Sequence, residues 1–99
     1  MIEEYKTMDE YLKECPDWIV EKAVSYLKTL FTEGVKEDVA RLHKQDHENW
    51  WASSHFTWGM KIRSFLRENV CLDDKLPSGN WDDYYIQLVE IACGIRNKS

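Results

Sequence analysis

No stretch of this 99-residue chain approaches the ~20 consecutive apolar residues that cross a bilayer as a helix. No membrane partner is expected. No run of Lys or Arg exceeds two, and the formal net charge is -5. Nucleic-acid binders carry a basic face that neutralises phosphates, so no nucleic-acid partner is expected either. Cysteine is sparse: Cys15, Cys71 and Cys93 form an odd set without Cys-x-x-Cys spacing. They read as reduced thiols of a cytoplasmic protein. The opening residues, MIEEYKTMDE, are polar and acidic, unlike the apolar core of a signal peptide. Glycine-rich phosphate loops, a Gly-x-Ser-x-Gly elbow, internal repeats and low-complexity tracts are missing too. With no catalytic motif, a non-enzymatic protein without a cofactor is the expectation.

What the chain does have is large apolar side chains. Hydrophobic residues make up 43% of it, too many for a solvated disordered chain. The length suits one domain, residues 1–99, around one core. Thr7-Met8-Asp9-Glu10 forms a capping box that opens a short helix to about Cys15, where Pro16 stops it. Asp17 can cap a second helix, 18–33. Ile19, Val20, Ala23, Val24, Tyr26, Leu27, Leu30 and Phe31 share one side of it. Gly34 is expected to end it.

A third segment, 35–45, carries a narrow stripe of Val35, Val39 and Leu42 and reads as peripheral. Asp46 is a cap for a long fourth helix, 47–69. After a loop with Pro77 and Gly79, Asn80 opens a fifth helix to about Arg96. Asp82 and Asp83 lie in its first turn, at the positive end of the helix dipole. No segment alternates with a period of two. The expectation is an all-α compact bundle of four to five helices with the 47–69 helix central.

That central stretch contains WWASSHFTWGMKIRSFLREN, residues 50–69. Ser53, Ser54, Thr57, Lys61, Ser64 and Glu68 share a polar arc, and the other side chains fill roughly 220° of the helical wheel. Trp50 is the exception, falling on the polar side. Trp51, His55, Gly59, Arg63 and Arg67 recur every four residues and line one strip. Gly59 is costly inside a helix, by ~1 kcal/mol relative to Ala. Such a glycine admits a backbone, an aromatic ring or a ligand. Two readings follow. In the first, the strip is core: an inward Arg pairs with a carboxylate, Asp82 or Asp83 first and Asp73 or Asp74 second. In the second, His55, Trp58 and Arg63 wall a pocket for an anionic small ligand.

The nine residues His55-Phe56-Thr57-Trp58-Gly59-Met60-Lys61-Ile62-Arg63 resemble the hallmark of a small helical domain family of unknown function from bacteria and phages. The family pattern reads His-Phe-Gly-x-Gly-Met-x-Ile-Arg-Asn. TMDEYLKEC resembles the family's lead-in helix, and PSGNWDDYY its turn before the last helix. This chain has Thr57 where Gly is usual and Ser64 where Asn is usual. The resemblance implies the helical fold and a bacterial or phage setting, and carries no reaction.

Other constellations are weaker. His43 and His47 sit at i, i+4, but lack a third metal ligand at a defined spacing. They read as a solvated helix end, so no metal is expected. Trp81, Tyr84, Tyr85, Leu88, Val89, Ala92 and Ile95 give the last helix a wide apolar arc. Part of that arc, if exposed, would serve as a partner surface or a homodimer interface. The leading expectation is a small protein that binds a partner protein, a phage-borne inhibitor or regulator of a host system among the options. Its site residues would be His55, Trp58, Gly59, Arg63, Trp81, Asp82, Asp83 and Tyr84. An anionic metabolite or nucleotide is the alternative ligand. An enzyme with His55 as general base ranks last.

Overall fold

The computed structural model describes residues 8–47, 49–52 and 58–96. These form five α-helices and two short 3-10 turns, with no strand among the described residues. The chain is an all-α compact bundle. Helix α1 spans Met8–Glu14; Thr7 of the expected capping box lies outside the described residues. The Pro16 carbonyl accepts from the Ile19 and Val20 N–H groups at 3.0 and 3.1 Å. Pro16 is therefore the N-cap of α2, Asp17–Leu30, and Asp17 is its first helical residue rather than its cap. Asp17 still acts on the positive helix end from the first turn. Ile19, Val20, Ala23, Val24 and Leu27 form the buried face of α2, the centre of the expected stripe.

Gly34 does not end this helix. The chain turns earlier, at Phe31, whose φ and ψ are -85° and 124°. The Thr32 hydroxyl then accepts from the Val35 N–H at 3.2 Å and caps α3, Glu33–Gln45. Two forces favour the earlier break. Phe31 reaches the core, only 6% exposed, and a threonine cap satisfies an N–H that the helix leaves unpaired. Gly34 becomes part of the first turn of α3. That helix is peripheral, as its narrow stripe implied, with Val39 as its buried residue.

The fourth helix is shorter than expected. The Asp46 carboxylate accepts from the Asn49 N–H at 3.1 Å, and Ala52 N–H donates to the Asn49 carbonyl at 3.0 Å. These bonds form a turn at 49–51 rather than helix. Helix α4 is described as Trp58–Asn69; Ser53, Ser54, His55, Phe56 and Thr57 lie outside the described residues. It buries Gly59, Ile62, Arg63 and Leu66. Lys61, Ser64 and Glu68 are exposed as expected, but so is Met60. The apolar arc is narrower than the wheel suggested.

The most deeply buried helix is α5, Tyr85–Ala92, in which all residues but Ile91 are buried. It packs on α2, α1 and α4 and on the preceding turn, Trp81–Asp83. The expected helix from Asn80 is split. Asn80 accepts from the Asp82 N–H at 2.9 Å and caps the 3-10 turn, and α5 follows Tyr84. Gly94, at φ +78°, closes α5. Ile95 N–H donates to Glu90 O at 2.9 Å and Gly94 N–H to Ile91 O at 3.0 Å, a Schellman closure that needs a left-handed residue.

Candidate functional site

One side of α4 carries the strip at four-residue spacing. A Cβ added at Gly59 would lie 2.7 Å from the Tyr85 hydroxyl and 3.2 Å from Cζ. The notch is therefore filled by an aromatic ring from α5. Four residues on, Arg63 is 7% exposed. Its guanidinium donates to the Asp82 carboxylate and lies 5.2 Å from the Tyr85 ring centre. Burial pushes the Tyr85 phenol up to about 12, against the pull of Arg63, so the ring is neutral at physiological pH. One turn further, Arg67 donates from two nitrogens to Asp73. Asp73 also accepts from the Trp81 N–H at 3.0 Å. Burial pushes the Asp73 carboxyl up, but the Arg67 and Trp81 bonds outweigh it and hold the group below its ordinary range. Both arginines are thus matched by acids of the same chain.

The other expected site residues divide. Trp81 is fully buried, and its indole donates to the Cys71 carbonyl at 3.0 Å. Tyr84 is fully buried too, and its hydroxyl accepts from the Ser78 N–H at 3.1 Å. Neither offers surface to a partner, because the 3-10 turn drives both side chains into the core. Asp83 is half-buried, and its carbonyl accepts from Gln87 Nε2 at 2.8 Å. Asp82 alone of these four reaches both the strip and solvent, its side chain 41% exposed. His55 is outside the described residues.

Trp58 does not join Arg63. It stacks on Phe31, ring centres 6.0 Å apart, and meets Trp50 at 6.3 Å with the rings inclined by 61°. Together with Val35, Asp38, Val39 and Leu42 from α3, these two tryptophans line an open groove of about 290 Å³. That is close to the lower end of ligand-sized pockets. The helical wheel misplaces Trp50 because residues 49–51 are a turn. The stripe Val35, Val39, Leu42 was the available signal: an apolar line on a helix with little else to bury it.

Beneath the groove sits a carboxylate that the sequence pattern does not single out. Glu90, 2% exposed, accepts from Trp50 Nε1 at 3.1 Å and Arg96 Nε at 2.9 Å. His43 Nε2 lies 3.4 Å from it. His43 also stacks on His47, ring centres 4.6 Å apart and nearly parallel. His43 is therefore not part of a solvated helix end. It faces α5 from 47 positions earlier in the chain. Glu90 acts as a clamp that ties α3, the Trp50 turn and the chain after α5 to the core. Among the described residues, no three His, Cys, Asp or Glu side chains are grouped to hold a metal ion.

The thiols are chemically quiet. Burial pushes Cys15 up to about 12 and Cys93 to about 11. Cys71 is raised by burial and then by Asp73. A protonated thiol is a poor nucleophile. Comparison with known proteins finds no matching family model, no significantly similar curated protein and no significantly similar solved structure.

Proposed function

We propose that this chain is a non-enzymatic binding protein that docks to a partner protein through the groove between α3 and the Trp50–Trp58 corner. The observation that carries the reading is that groove, an apolar concavity with aromatic walls. Aromatic anchors of this kind dominate the energetics of protein interfaces. Some neighbouring surface is apolar too: on α2, Leu30 is 44% exposed at the end that leads into Phe31. The bacterial or phage setting, and a host system as target, rest on the nine-residue resemblance at 55–63.

The ligand-pocket reading, with His55, Trp58 and Arg63 around an anion, would require Asp82 to leave Arg63. It would also require Trp58 to leave Phe31. The groove reading needs neither. The test is affinity capture of partners from a native lysate by the wild-type chain, by Leu42→Glu and by Trp58→Ala, with Met60→Ser on the outer face of α4 as control. The expected result is a specific partner lost by both groove variants and kept by the control. A partner retained by both groove variants would overturn the reading. Sedimentation at micromolar concentration decides whether a second copy is that partner.

A further inference from the structure

The groove is not uniformly apolar. Asp38 lines it beside Val35, Val39, Leu42, Trp50 and Trp58. Its carboxylate already holds a guanidinium: Arg41 Nη2 donates to Asp38 Oδ1 at 3.0 Å. Both side chains of that pair are about two-thirds exposed, and a solvent-screened pair at i, i+3 contributes little. Arg41 is therefore a weakly held partner of Asp38 that a better-placed cation can displace. Trp58, half-buried, supplies an indole face, beside the buried Trp50 ring, which is 5% exposed and inclined to it by 61°; an indole is the aromatic surface that attracts cations most strongly. The chain's net charge of -5 favours approach of a basic partner.

The geometry points to an arginine side chain, carried on a basic segment of a partner protein, as the group the groove takes. Its aliphatic stem would pack on Val35, Val39 and Leu42. Its planar guanidinium would lie against the Trp58 indole and bond Asp38 in place of Arg41. A guanidinium fits better than an ammonium, because it is more weakly hydrated, stacks on rings and engages a carboxylate with two donors. A purely apolar anchor would leave Asp38 to Arg41 and draw nothing from the carboxylate at the groove's rim. This proposal rests on the groove being the docking surface, and it names what enters.

The test uses small probes, so that no partner need be known. N-acetyl-arginine-N-methylamide, its citrulline counterpart and its leucine counterpart are titrated into the isotopically labelled chain. The tryptophan indole N–H signals are followed by NMR. The expected result is saturable shifts of the Trp50 and Trp58 signals by the arginine probe, about tenfold tighter than by citrulline, and weaker at high salt. Asp38→Asn should weaken arginine binding by a similar factor. Arg41→Gln should strengthen it, an effect that simple loss of structure would not produce. Equal binding of arginine and citrulline, or no response to Asp38→Asn and Arg41→Gln, would overturn the arginine assignment. Leucine binding in the groove would then leave the groove reading standing. If none of the three probes moves the Trp50 and Trp58 signals, the arginine assignment fails, and capture by the Leu42 and Trp58 variants decides the groove separately.

Discussion

Two regions flank α4, and they ended differently. The strip of Gly59, Arg63 and Arg67 is rich in donors, and the chain has closed it with Tyr85, Asp82 and Asp73. The groove of Val35, Val39, Leu42, Trp50 and Trp58 has few polar groups and stays open. The difference follows from relative costs. A buried guanidinium without a partner is severely penalised, so a fold that brings Arg63 inward must also bring an acid. An apolar wall exposed to water loses only about 25 cal/mol per Å², which a peripheral helix such as α3 can tolerate. Chemically rich side chains therefore mark where this fold is completed. Plainer ones mark where it is left available.

Emptying the closed side should cost the most stability. Tyr85→Ala removes the ring that fills the Gly59 notch and covers Arg63, and should cost about 3–5 kcal/mol, read from the urea midpoint. Leu42→Ala on the open side should cost clearly less, since Leu42 is only partly buried; equal losses would contradict the contrast. Gly59→Ala is next, at about 1–3 kcal/mol of destabilisation from overpacking. Helix propensity alone predicts a gain of ~1 kcal/mol, so the sign of the change is diagnostic. Adding Tyr85→Phe, which deletes the nearest atom, should recover part of the loss in a double-mutant cycle.

Asp82→Asn should cost about 1 kcal/mol, at the low end for a buried charged donor losing its acid, because Asp82 is partly solvated. A smaller effect concerns acid. Asp73 titrates below its ordinary range in the fold, so its stabilisation is present above the unfolded value and lost as pH falls through the folded one. Asp73→Asn should therefore flatten the acid side of a stability–pH profile; an unchanged slope would deny the Arg67 pairing its role. Smallest of all, Asp38→Asn at the rim of the groove should shift stability by no more than about 0.5 kcal/mol, however strongly it alters binding.

Much of the closed strip was legible in the sequence. Four-residue spacing placed Gly59, Arg63 and Arg67 on one line, and the acids named for them included both that the fold uses. The open groove was not legible, because it depends on Trp50. On a continuous helix Trp50 falls on the polar side; in the fold Asp46 and Asn49 make a turn, and Trp50 swings in to Glu90. Trp81 and Tyr84 were misread as surface for a related reason. Their apolar arc was correct, but the 3-10 turn and the packing of α1, α2 and α4 around α5 put that arc inside.

By itself the sequence determined the all-α class, the buried face of α2, the peripheral character of α3 and the need for acids opposite the inward arginines. Each of these depends on spacing within one element, or on a cost that must be met somewhere. Only the tertiary structure decided that Asp82 takes Arg63 and Asp73 takes Arg67, that Tyr85 fills the notch, and that α5 is the most buried helix. It also brought Trp50 to Glu90 across 40 positions. Periodicity tells which way a side chain faces along its own helix. It carries no information about what another helix brings to that face, and that meeting is what separates a filled strip from an open groove.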